Sequence, residues 1–240
     1  MKLKKATYLA GLFLLILATQ LNAQNINVSG VFPTIDHSGD LSNKFEYSLY
    51  YFAAFPLINI DTGNSDAYFN LFYSEQAVTY KVTTKFSLTG SYVYQRANVV
   101  YDNYVNENRF YVQAKYKHAA GTISLTHRLR LDGRFVHDRL RNTTPFTHRA
   151  RYLLGVETPI STSLYFSAYE EAFFNTFENP GAVFAENWAY AAVGKKLNAK
   201  NKLELGVLYI TWNIGAKNWF NQYYLQATWI SHLDFRKTKP

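Results

Sequence analysis

The sequence predicts an all-β chain: a transmembrane, antiparallel, up-and-down β-barrel of ten strands, with twelve as the structural alternative. Three observations carry that expectation. Segments of 11 to 14 residues alternate apolar and polar side chains with a period of two, the mark of a strand with two unlike faces. Short and long links alternate between those segments, as turns and loops do on the two rims of a barrel. The last segment, 219–235, has an aromatic apolar face and ends at Phe235, just before the basic tail 236–240.

Taken from the N-terminus, residues 1–23 read as a signal peptide. Lys2, Lys4 and Lys5 precede the apolar run 6–18, and Leu21-Asn22-Ala23 ends in a small residue suited to cleavage. The run is 13 residues long, whereas a spanning helix needs about 20. Cleavage after Ala23 would leave 217 residues and lower the net charge from +8 to +5. With no cysteine, the chain has neither a disulfide framework nor a cysteine for lipid attachment. Residues 24–43 form an N-terminal extension or an extra strand, since 26–32 could pair or simply extend from the barrel.

The barrel is expected over 44–235. Strands are placed near 44–55, 67–80, 86–97, 106–116, 122–135, 146–157, 163–175, 184–195, 202–213 and 219–235. The clearest are the fourth to sixth. In 106–116, Asn108, Phe110, Val112, Ala114 and Tyr116 oppose Glu107, Arg109, Tyr111, Gln113 and Lys115. In 122–135, Ile123, Leu125, Leu129, Leu131 and Phe135 oppose Arg128, Arg130, Asp132 and Arg134. In 146–157, Phe146, Ala150, Tyr152, Leu154 and Val156 oppose Arg149, Arg151 and Glu157. In the last strand, Tyr223, Leu225, Ala227, Trp229, Leu233 and Phe235 share a face, and Trp229, Leu233 and Phe235 are assigned to the barrel seam.

The links at 81–85, 118–121, 159–162 and 197–201 are short, and those at 56–66, 97–106, 138–145 and 176–183 are longer. Ten strands would put both chain ends on the periplasmic rim. A soluble barrel shares the two-faced alternation, so what decides is which face points outward. The strand lengths, the strand number and the terminal aromatic face favour the membrane. The arginines agree, because one facing lipid would cost about 2–4 kcal/mol at the midplane. The expected lumen therefore holds a charge network of Glu107, Arg109, Arg128, Arg130, Asp132, Arg134, Arg149, Arg151, Glu157, Glu171 and Glu204. Arg128, Arg130 and Arg151 are expected to pair with Glu107, Glu157, Glu171 and Glu204.

Several runs also resemble a known family. They are Glu107-Asn108-Arg109-Phe110, His127-Arg128-Leu129-Arg130-Leu131-Asp132-Gly133-Arg134-Phe135, Arg149-Ala150-Arg151-Tyr152 and Ala168-Tyr169-Glu170-Glu171-Ala172-Phe173-Phe174. Over 44–235 the chain resembles the bacterial family catalogued as domain of unknown function 2490. That resemblance implies an outer-membrane barrel with no established activity. Two departures stand out: Trp188 follows Asn187 where the family pattern usually has arginine, and 26–32 is a poor match to the family's usual Trp-containing first strand.

No catalytic residue is assigned. His127, His137, His148, Ser124, Glu170 and Glu171 are the residue types that a rim hydrolase or acyltransferase uses, but they share no recognisable motif. His127 and His148 fall on the apolar face, where cover by tyrosines or a local bulge accounts for them. The pairs Asp36-His37 and His137-Asp138 are too few for a metal site, and Arg139 and Arg141 read as loop cations. Gly39, Gly63 and Gly181 fall in turns or loops, so no phosphate-binding glycine loop is read. The basic residues alternate within strands and form no exposed stripe for nucleic acid.

The expectation is an outer-membrane protein of structural or binding role, with a lumen filled by arginine, tyrosine and carboxylate side chains. A small-solute channel and a lipid-modifying enzyme are the alternatives. No cofactor or metal is expected. The expected partners are outer-membrane lipid and the barrel-insertion machinery, with the protein a monomer.

Overall fold

The computed structural model describes residues 26–64, 70–98, 104–137, 142–176, 183–215 and 218–236. The signal segment 1–23, the loop residues Asp138, Arg139, Arg141 and Gly181, and tail residues 237–240 lie outside that set.

Eleven strands close into one barrel: β1 (Ile26–Asp40), β2 (Phe45–Asn59), β3 (Leu71–Lys81) and β4 (Phe86–Asn98) lead it. They are followed by β5 (Tyr104–Ala120), β6 (Ile123–Val136), β7 (Phe146–Pro159) and β8 (Leu164–Asn175). The chain ends with β9 (Val183–Lys196), β10 (Asn201–Gly215) and β11 (Asn218–Asp234). Each strand pairs with its neighbours in sequence, and β1 closes the ring against β11.

The strand count of ten or twelve is corrected to eleven among the described residues, and of the two readings of 24–43 the extra strand is the one formed, as β1. An odd count has a geometric consequence. Alternating up and down strands bring the first and last together in the same direction, so β1 and β11 pair in parallel, from Ile26 opposite Phe220 to Asp40 opposite Asp234. All other pairs are antiparallel. The start of β1 at Ile26 and the end of β11 at Asp234 are therefore on opposite rims, not both on one.

One rim is built of tight turns with a repeated side-chain device. Ser42, Thr83 and Ser161 each place a hydroxyl two and three residues ahead of the backbone N–H groups it accepts from. Asn198 does the same with its amide oxygen. These side chains mimic a backbone turn and fix hairpin register. The hairpin between β5 and β6 instead turns at Gly121, whose φ of 66° is the left-handed region that glycine enters without a Cβ clash.

The exterior is apolar, while the interior mixes charged and aromatic side chains, unlike the core of a water-soluble domain. On β6, Leu129 and Leu131 are about half exposed while Arg130 and Asp132 between them are buried. Phe110, Val112, Leu205, Val207 and Leu225 extend the apolar exterior around the wall. Such a surface suits lipid and not water. The seam residues Trp229 and Phe235 are on it, and Trp229 Nε1 donates to Asn201 Oδ1 at 3.2 Å.

Candidate functional site

The lumen is the site where the chain concentrates its chemistry. Strands β5 to β8 supply most of its charged wall because their polar-face residues are long: Glu107, Arg109, Arg128, Arg130, Asp132, Arg134, Arg149, Arg151 and Glu171. Period-two alternation sends them all inward, and barrel closure brings them within reach of each other.

Two carboxylates act as hubs. Glu107 takes Arg109 Nε and Arg134 Nε on one oxygen and Arg134 Nη2 on the other, each at 2.7 Å. Glu171 takes Arg151 Nε at 2.8 Å, Arg151 Nη2 at 2.9 Å and Arg128 Nη2 at 2.7 Å. These are charge-assisted, partly bidentate contacts, the strong class of hydrogen bond. Asp132 is fully buried between Arg109 at 3.7 Å and Arg151 at 3.8 Å. Among the described residues neither of its oxygens has a hydrogen bond, so it acts there as a counter-charge.

Two further acids complete the network. Glu75 on β3 is 3.3 Å from Arg130 Nη1 and accepts from the hydroxyls of Tyr73 at 2.6 Å and Tyr111 at 2.5 Å. Glu186 on β9 accepts from Arg149 Nη1 at 3.0 Å, Trp188 Nε1 at 2.6 Å and Trp212 Nε1. The expected pairing holds for Arg128 and Arg151, which share Glu171, and is corrected for the rest. Arg130 pairs with Glu75, Arg149 with Glu186, and Glu107 serves Arg109 and Arg134. Glu204 is buried but accepts from the Tyr190 hydroxyl at 3.0 Å, and neither it nor Glu157 joins an ion pair among the described residues.

A second wall is aromatic. Phe32 stacks on Phe52 at 4.6 Å, and Phe52 stacks on Tyr73 at 4.5 Å. Trp188 meets both phenylalanines edge-on from across the lumen and tilts against Phe173 at 5.8 Å. Trp188 thus extends the aromatic stack across the lumen. Arg151 lies 4.2 Å over the Phe173 ring and Arg130 3.7 Å over Tyr111, joining the two walls by cation–π contact. Between the walls is a chamber of about 750 Å³.

The other singled-out residues are elsewhere. His127 and His148 do point outward. His127 bonds the Tyr152 hydroxyl at 2.8 Å and His118 at 3.3 Å, and His148 packs edge-on against Phe146. His37 is also on the outer face, held by Ser231 at 2.6 Å and Tyr47 at 2.7 Å. At the turn rim, Ser38 bonds His232 Nδ1 at 2.9 Å, and His232 Nε2 is 3.3 Å from Asp40, which also binds Lys81. That chain clasps β1, β11 and β3 together at the closure. No group of three or more His, Cys, Asp or Glu residues converges on a metal position among the described residues.

A search of curated proteins returns no match. A family model described as "Protein of unknown function (DUF2490)" matches residues 39–221, from the end of β1 into β11 and through the whole charged wall. The chain belongs to the DUF2490 family.

Proposed function

We propose that this protein is a closed barrel of structural or binding role in the bacterial outer membrane, held shut by its luminal network. The observation that carries the reading is the bracing of the lumen from both sides. Trp188 reaches Phe32 and Phe52 from across the barrel, while Arg130 bridges to Glu75 and Arg149 to Glu186. A barrel of about eight strands is just filled by its side chains, and a wide aqueous channel needs about sixteen. Eleven strands with this many large inward residues are near the filled end.

The protein is a monomer surrounded by outer-membrane lipid and folded into place by the barrel-insertion machinery. Its apolar exterior and the exposed Phe235 at the end of the closing strand support that reading. Liposome swelling tests the closed state. Vesicles carrying the barrel should shrink in hyperosmotic arabinose and stay shrunken, as protein-free vesicles do. Rapid re-swelling would favour the small-solute channel, whose structural basis would be the 750 Å³ chamber.

A further inference from the structure

Cations face one another directly across adjacent luminal strands at three positions: Arg109 opposite Arg134, Arg130 opposite Arg151, and Lys115 opposite Arg128. Like charges so placed are destabilising unless something neutralises them. In the first pair both arginines share Glu107. In the second, Arg130 has Glu75, and Arg151 has Glu171 and Asp132. The third pair has no acid in direct contact with both members. Arg128 shares Glu171 with Arg151, while Lys115 feels Glu46 and Asp36 only at longer range and makes no ion pair or hydrogen bond among the described residues.

Both side chains line the chamber, together with Tyr50, Phe52, Tyr73 and Trp188. We propose that Lys115 and Arg128 form a binding site for the carboxylate of a small, flat aromatic acid whose ring lies against the aromatic wall. The inference rests on the closed-barrel reading and gives the binding role a ligand class. A carboxylate against Lys115 and the accessible part of the Arg128 side chain would give this pair the kind of contact that Glu107 gives Arg109 and Arg134. The chamber volume is within the range of about 300–1,000 Å³ that holds small molecules. Asp36 and Glu46 line the same chamber, so a dianion would be repelled and a monocarboxylate is favoured.

The test is equilibrium binding of radiolabelled benzoate to the full barrel in detergent, with benzamide as the uncharged analogue. Wild type should prefer benzoate at least tenfold, Lys115→Gln should weaken benzoate at least tenfold, and Lys115→Arg should restore it. Three results would each overturn the proposal: equal affinity for benzoate and benzamide, no effect of Lys115→Gln on benzoate, or no restoration of benzoate affinity by Lys115→Arg. Liposome swelling on the same preparation reports on the closed barrel separately, so a closed barrel that ignores benzoate refutes this inference alone.

Discussion

Replacing Arg151 with leucine is the sharpest probe of the luminal network. The guanidinium makes two hydrogen bonds to Glu171, is 3.8 Å from Asp132 and lies over the Phe173 ring at 4.2 Å, all with side chains almost wholly buried. Breaking a buried pair from one side costs about 3–5 kcal/mol, chiefly because the remaining charge is stranded. Glu171 would keep Arg128, which argues for the lower end. Asp132 would keep only Arg109 at 3.7 Å with no hydrogen bond on either oxygen, and a desolvated cation–π contact adds about 2 kcal/mol, which argues for the upper end. The expected loss is about 4 kcal/mol. Arg130→Leu should cost less, because Glu75 keeps the Tyr73 and Tyr111 hydroxyls. Reversible urea unfolding of the lipid-refolded barrel, read by tryptophan fluorescence, measures both. A loss under about 1 kcal/mol for Arg151→Leu, or a larger loss for Arg130→Leu, would refute the hub assignment.

Further expectations follow the chain. Phe235→Asp should sharply reduce outer-membrane yield, since an exposed aromatic at the end of the closing strand becomes a charge, whereas deleting 236–240 should be mild; equal yields of Phe235→Asp and wild type on heat-modifiability gels would contradict this. Gly30→Val should block folding, because a Cβ there would be 2.0 Å from the Phe55 carbonyl oxygen at the β1–β2 bulge. Recovery of normally folded Gly30→Val barrel would show that the bulge can shift. Trp188→Ala should cost about 3–5 kcal/mol by opening the aromatic stack, as truncation of a buried large aromatic does, and an unchanged urea midpoint would count against the stack. Intact mass of membrane-extracted protein should correspond to a mature chain starting at Gln24, and retention of residues 1–23 would contradict the signal peptide.

The strands with regular alternation were legible because each face holds one class of side chain. β5, β6 and β7 show it, with leucines and phenylalanines outside and arginines and acids inside. β1 was not legible for the opposite reason. Its buried residues include Val28, Phe32 and Thr34, its exposed ones include Val31 and Ile35, and Gly30 and Pro33 interrupt it. With apolar side chains on both faces the period disappears, and its closure depends on a parallel partner nearly 200 residues away.

The network was half legible for a related reason. Local alternation decides which residues face inward but not which ones meet. Glu75 is 55 positions from Arg130, and Glu186 is 37 from Arg149. Those meetings depend on barrel closure and stagger across several strands, which no short window contains. The signal for Glu75 was its place in Tyr73-Ser74-Glu75, on the buried face of β3. Glu204 was misjudged because an inward acid looks the same in sequence whether an arginine or a tyrosine hydroxyl satisfies it.

Planar-bilayer recording of the wild-type barrel tests the closed lumen most directly. Cross-lumen contacts from Trp188 and Arg130 leave no wide aqueous path on this account, so insertion should give no large steady conductance. Stable porin-like steps from the purified protein would contradict it.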